Sequence, residues 1–324
     1  MTESQLPWKL AKLRAGYMRK IRDFFFEKDV VEVETPLLSR GTVTDVHLDA
    51  FSTQYQFFSD SSIEHNTSLY LQTSPEFAMK RLLADGYGCS YQICKAFRKE
   101  DYGRFHNPEF TILEWYRVGF TLEQLMDEVS ELLAVVLGCN PSIRLSYQEA
   151  FSQQTGIDPL SSSIQELKAF LSVKGVSDEW VATEEDKDIL LQYIFSDYVE
   201  PKIGEKAPCF IYDFPYTQAA LANISVQDNR VAHRFECYYH GIELANGYNE
   251  LLDHEELLTR FTRDNETRIK MGKPQMPIDN NFIRAMKKGI PECSGVALGL
   301  DRLMMLALNK QQINEVITFG IENA

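Results

Sequence analysis

SGVALGLDRLMMLAL, residues 294–308, is the stretch whose reading decides how the rest of the chain is understood. Gly295 and Gly299 punctuate a strand-like piece, and the residues after Arg302 have the apolar density of a buried helix. Asp301 and Arg302 fall at the junction. A guanidinium in an apolar setting is costly unless something meets it. Either Asp301 neutralises Arg302 within the fold, or the arginine faces a pocket that receives an anion. The segment alone leaves both open.

Working outward, the pattern of elements limits the choice of fold. Apolar spacing predicts a helix over 6–28, then an alternating strand over 30–39 interrupted by Pro36, which suits a strand end or sheet edge. SLYLQTSPEFAMKRLLADG reads as strand, turn capped by Ser74 with Glu76 behind it, and helix. Two strands flank the polar turn DYGRFHNP, and a helix capped by Thr121 follows. Residues at about 140–205 are polar and serine-rich with helical periodicity, as in a helical insertion. PCFIYDFP is strand-like, RFECYYHGIELANGYNE is a hairpin around His240 and Gly241, and two helices precede the opening stretch. Strands and helices do not alternate regularly, so the expected class is α+β, a mostly antiparallel sheet flanked by helices.

Composition narrows the partners. The 324 residues are 44% hydrophobic, ample for a core. A net charge of −14 repels polyanions, yet a small anion such as ATP can still enter a locally cationic cleft. The six cysteines form no CxxC pair and read as reduced residues of a cytoplasmic protein. No apolar run is long enough to span a bilayer, so no membrane partner is expected.

Two further constellations carry chemistry. In FRKEDYGRFHNPEFTILEWY, residues 97–116, a strand end and a returning strand project Arg98, Glu100, Asn107 and Phe110 toward one region. Together they suit a nucleotide, with guanidinium on phosphate and an aromatic face on the base, or they are a solvated turn. In the hairpin, a two-residue turn at His240 and Gly241 sets Tyr238 opposite Glu243 and Glu236 diagonal to it. Two neighbouring carboxylates call for a cation, Mg²⁺ bridging to phosphates, or they are an exposed acidic hairpin. Glu250 has the wrong parity for that face unless a bulge near Asn246 and Gly247 re-aims it.

Taken together, the three regions resemble the signature motifs of class II aminoacyl-tRNA synthetases, closest to the lysyl-tRNA synthetase catalytic domain. The first is VVEVETPLLS with Pro36; the second runs from Phe97-Arg98-x-Glu100 to His106-Asn107-Pro108-Glu109-Phe110-Thr111; the third is Gly299-Leu300-Asp301-Arg302. TSPEF, LEWY and GIELANGYNE are lysine-type segments. The resemblance covers nearly the whole chain, read as a single catalytic domain over residues 1–324. It implies that Arg98 and Arg302 bind ATP phosphates, with Arg302 also against the adenine. Lys99, Glu100, His106, Asn107, Phe110, Glu243, Leu244 and Gly299 join the ATP site, and Glu236 and Glu243 hold Mg²⁺. Ser74, Pro75 and Glu76 approach the amine and carboxylate end of the amino acid. Glu114, Tyr116 and Glu250 receive a side-chain ammonium, with Asn246 and Tyr248 lining that pocket. The first motif implies a homodimer.

Two departures from the synthetases bear on the acceptor. Only about 29 residues precede Val30, too few for an anticodon-binding OB-fold at ordinary domain sizes, so tRNA is not expected as acceptor. Ala297 stands where the resembled synthetases have glycine, and a methyl there disfavours α-lysine against a substrate whose amine lies one carbon further along. Such a difference is worth roughly 1–3 kcal/mol. Lys99, where those enzymes commonly have asparagine, and DYGRF mark where acceptor recognition should differ. These features resemble the bacterial ligases that adenylate (R)-β-lysine and transfer it to a lysine of elongation factor P. The alternative is a truncated synthetase-like enzyme activating α-lysine for tRNA or another small acceptor.

Overall fold

The computed structural model describes residues 4, 6–56, 66–99 and 102–324. The chain opens with helix α1 (Trp8–Glu27), strands β1 (Val31–Glu32), β2 (Leu38–Ser39), β3 (Ser52–Gln56) and β4 (Asn66–Leu71), and helix α2 (Glu76–Ala84). Strands β5 (Ser90–Phe97) and β6 (Glu109–Val118), helix α3 (Leu122–Leu137) and strand β7 (Ile143–Ser146) follow. Next come α4 (Tyr147–Thr155), α5 (Ile164–Val173), α6 (Glu179–Thr183) and α7 (Lys187–Ile194), then β8 (Cys209–Pro215), β9 (Val231–Tyr239) and β10 (Ile242–Asn249). Helices α8 (His254–Lys270) and α9 (Asn280–Lys288), strand β11 (Cys293–Gly299) and helix α10 (Leu300–Ala307) close the chain. Helices and strands are segregated rather than alternating, and the class is α+β as expected.

The chain divides into two compact units, one formed by Met1–Gly119 with Leu251–Ala324 and the other by Phe120–Glu250. In the first, strands run in the order β1-β5-β6-β11, with β1 parallel to β5 and the other pairs antiparallel. A separate small sheet has the order β2-β4-β3. Pro36 falls between β1 and β2 and removes a ladder donor, which is why the predicted strand over 30–39 survives only as two-residue fragments. Helix α1 covers one face of the larger sheet. Phe25 stacks on Tyr91 at 4.4 Å and meets Trp115 edge-on at 5.3 Å between centroids. Phe77 of α2 stacks on Phe282 of α9 at 4.3 Å.

In the second unit the order is β10-β9-β8-β7, with β7 and β8 parallel. Tyr147, Phe151, Leu167, Leu171, Leu190 and Ile194 pack against Ile211, Phe214 and Tyr238 in its core. The stretch at 140–205 is not helical throughout, because β7 lies inside it as an edge strand. Its four half-exposed residues carry no clean alternation, so periodicity could not reveal it. Two serines of this stretch are helix caps. Ser146 and Ser163 each accept the N–H of a glutamate three residues on, Glu149 and Glu166, which bonds back.

Thr121 caps α3 in the same way with Gln124. Thr121→Ala is expected to cost about 1 kcal/mol, measured by urea denaturation, with Thr121→Ser close to the parent.

Candidate active site

Register in the first unit builds a polar floor. Glu114 lies between Gln92 of β5 and Ala297 of β11, and Tyr116 lies between Ser90 and Gly295. Alternation puts these residues on the face opposite Tyr91 and Trp115, away from α1. Glu114 is only 2% exposed. Its carboxylate accepts the Ser74 hydroxyl on one oxygen and the Tyr116 hydroxyl, at 2.7 Å, on the other. Ser74 does not cap α2 by side chain; Pro75 holds the cap position, and the Ser74 oxygen accepts the Glu76 N–H at 3.2 Å. The structure thus brings Ser74 and Glu114 into contact. Glu76 pairs with Lys80 one turn on at 2.7 Å, and that lysine side chain is 1% exposed. Burial, with Glu76 adding to it, pushes the Glu114 carboxyl up to about 8. A buried acid ringed by hydroxyls is suited to receive an ammonium group.

At the other end of β5, the Arg98 guanidinium lies 5.1 Å from the Phe110 centroid, and its Nε donates to Thr73 O at 3.3 Å. Lys99 is exposed, and Glu100 lies outside the described residues. Arg302 donates from Nε to Phe105 O at 3.3 Å, and its Nη2 is 2.8 Å from His106 Nε2. Its stem folds over Gly299, where an added Cβ would sit 3.4 Å from Arg302 Cδ. Asn107 is held by backbone, donating to Glu109 O at 2.6 Å and accepting the Ile321 N–H at 3.0 Å. Its amide keeps capacity for further contacts. Asp301 turns elsewhere: one oxygen pairs with Arg14 at 2.6 Å and the other accepts the Thr111 N–H at 2.7 Å.

The second unit carries the acidic hairpin. His240 and Gly241 have φ of 50° and 71°, both positive as a two-residue I′ turn requires. Tyr238 faces Glu243, as the turn predicted. The bulge, however, lies at Leu244, between Glu243 and Ala245, and not near Asn246 and Gly247. Leu244 is 1% exposed, so side-chain burial rather than glycine placed it, and no turn residue marked it in the sequence. One extra residue reverses parity, so Asn246 pairs with Glu236 and Tyr248 with Arg234 on the face that Glu243 shares. Glu250 follows in the same parity, 1% exposed, bridging to Ala222.

Glu236 accepts the Arg234 guanidinium, the Tyr238 hydroxyl and, at 3.4 Å, the Asn246 amide. Burial pushes it up to about 7 against the pull of Arg234, with Glu243 raising it further. A carboxylate pair that repels itself fits Mg²⁺. Among the described residues no three acidic, histidine or cysteine side chains cluster to hold a metal alone. Sequence reading missed Lys80, Arg234 and Arg14. The first two carried a signal, i,i+4 and i,i+2 spacing from a site acid; Arg14, 287 residues from Asp301, carried none.

The Glu114 carboxyl titrates at 4.5 ordinarily and about 8 here, so the folded chain keeps a proton that the unfolded chain loses between those values. Its contribution to stability is full below the lower value and is lost as pH rises through the upper one. Glu114→Gln is expected to remove that loss. Thermal melts without substrate should give matching midpoints near about pH 5 and a higher midpoint for the variant above about pH 8; parallel curves would count against the assignment.

Comparison with known proteins gives one answer along the whole chain. The profile described as tRNA synthetases class II (D, K and N) matches residues 5–323. An elongation factor P–(R)-β-lysine ligase of Vibrio cholerae is 52% identical over 313 residues, covering 97% of this chain and 95% of that protein. Proteins of the same name from Photobacterium profundum and Salmonella arizonae are 51% and 52% identical, over 98% and 96% of this chain and 99% and 94% of theirs. Profile and relatives alike span nearly its full length, so the chain belongs to the class II tRNA synthetases of the D, K and N type, in the group of the elongation factor P–(R)-β-lysine ligases.

Proposed function

We propose that this chain is an ATP-dependent ligase that activates (R)-β-lysine as an aminoacyl-adenylate and transfers it to a lysine side chain of elongation factor P. The observation that carries the reading is the buried Glu114 carboxylate, held by the Ser74 and Tyr116 hydroxyls and flanked in register by Ala297. Relatives named for this activity, half identical over nearly the whole chain, support it. The reading treats residues 1–324 as one catalytic domain.

In the first step a substrate carboxylate oxygen attacks the α-phosphorus of ATP, and the bond to the bridging oxygen breaks to release pyrophosphate. Arg98 and Arg302 lower the energy of the charge that builds on the phosphates, with Lys99, Glu100, His106, Asn107, Phe110, Leu244 and Gly299 around the nucleotide. Glu236 and Glu243 would hold Mg²⁺, which neutralises phosphate charge when bound. Glu114, Tyr116 and Glu250 orient the substrate through its ammonium, and Asn246 and Tyr248 line its pocket. Ser74, Pro75 and Glu76 meet the amine and carboxylate end. In the second step the neutral ε-amine of the acceptor lysine attacks the activated carbonyl, an amide forms, and AMP leaves with the electron pair. No protein nucleophile is needed.

Ala297 stands beside Glu114, so its methyl narrows the floor where the substrate is held. We assign to it the preference for the β-amino acid. The same proposal places the enzyme in the cytoplasm, where its six free cysteines stay reduced. No helix among the described residues is long and apolar enough to cross a membrane. It also pairs the chain with a second copy through α1 and residues 30–39, where Phe26 is 83% and Val31 60% exposed.

Arg302→Ala should abolish amino-acid-dependent pyrophosphate exchange, and near-normal exchange would remove its phosphate role. In a panel of α-lysine and (R)-β-lysine, Ala297→Gly should shift the kcat/KM ratio toward α-lysine by about 10-fold or more. An unchanged ratio would show that the methyl does not gate. Acceptor assays with elongation factor P and tRNA separate the proposed ligase from a tRNA-charging enzyme.

A further inference from the structure

Asp301 is 1% exposed, and a buried carboxylate without a partner is costly. Its partner comes from the far end of the sequence. Arg14, in the middle of α1, donates from Nη2 to Asp301 at 2.6 Å and to Thr111 Oγ1 at 3.4 Å, and from Nη1 to Val316 O at 3.2 Å. The other Asp301 oxygen takes the Thr111 backbone N–H at 2.7 Å. One guanidinium therefore ties together α1, β6, the segment after α10 and the first turn of α10.

That first turn is buried, with Leu300 and Leu303 fully covered, and Asp301 ties it by polar contacts to α1 and β6. No side chain caps α10, whose N-cap is Gly299. Arg302 is the next residue after Asp301, and it reaches the loop at Phe105 and His106 from that backbone position. We infer that Arg14 is a positioning residue for Arg302, setting the phosphate-binding guanidinium by pinning Asp301 to α1 and β6. The inference rests on the reading that Arg302 binds ATP. Removing Arg14 leaves a buried carboxylate without its cation, and the first turn of α10 relaxes to rehydrate it. Arg302 moves with that turn. Displacement of a binding group by about 1 Å can cost on the order of 100-fold in activity.

Arg14 can also be reached from outside. Its side chain is 17% exposed and lines a groove of about 650 Å³, together with Met18, Asn107, Thr111, Ile317 and Phe319. A free guanidinium ion can enter there and take the place of a deleted side chain.

The experiment measures binding of a non-hydrolysable ATP analogue by calorimetry to the parent, Arg14→Ala, Arg302→Ala and the double variant, and KM for the amino acid in pyrophosphate exchange for Arg14→Ala. Arg14→Ala should weaken nucleotide binding about 10-fold while the amino-acid KM stays within about twofold. The double variant should bind no worse than Arg302→Ala alone, since both changes remove one interaction. Added guanidinium chloride at millimolar concentration should restore Arg14→Ala and leave Arg302→Ala unchanged, and Arg14→Lys should fall between. Parent-like nucleotide binding by Arg14→Ala, or losses that multiply in the double variant, would overturn the inference while leaving the proposed function intact. Parent-like binding and exchange by Arg302→Ala would instead remove the phosphate role on which the inference rests. Circular dichroism checks folding; if Arg14→Ala does not fold, Arg14→Lys and Asp301→Asn are read by the same criteria.

Discussion

Strand β6 serves two masters, and its register cannot shift without losing both. Trp115, fully buried, meets Phe25 of α1 on one face, while Glu114 and Tyr116 on the other form the polar floor with Ser74. A slip of one residue would drive Glu114 into the aromatic cluster under α1 and expose Trp115 to the polar side. The hydrophobic packing that stabilises the first unit is therefore also what aims its central carboxylate. Burial then gives that group its character, because desolvation disfavours the anion and pushes the carboxyl up to about 8 until a cation arrives.

The second unit solves a related problem with an irregularity. Glu243 and Glu250 are an odd number of residues apart, so an unbroken strand would send them to opposite faces. The extra residue at Leu244 puts Asn246, Tyr248 and Glu250 back in phase with Glu243 and with Glu236 across the hairpin. Arg234 and the Tyr238 hydroxyl then partly compensate Glu236, which keeps two acids tolerable side by side. A perfectly regular hairpin would be easier to fold and would carry a different face.

Much of this was legible along the chain. The α+β class, the strand and helix over 294–308, the I′ turn at His240 and Gly241 and the pairing of Tyr238 with Glu243 follow from local patterning, because turn geometry and side-chain period act over a few residues. The bulge was expected from parity but placed two residues late, since glycine was taken as its mark and a buried leucine formed it instead. Strand β7 stayed hidden, being short and half-exposed, while Ser146 and Ser163 in the same helical stretch are helix caps. Asp301 was weighed as the partner of its neighbour Arg302, yet it pairs with Arg14.

Sequence by itself determined which residues are available and, through period and turn chemistry, which of them share a strand face: Glu236 with Tyr238, Glu114 with Tyr116. Only the tertiary structure decided which groups share a charge. Ser74 against Glu114 spans 40 residues, and Arg14 against Asp301 spans 287. Such pairings are chosen by burial, because a desolvated carboxylate must be met by whichever donor the packed core delivers to it, and that delivery depends on how helices dock on a sheet rather than on any spacing along the chain.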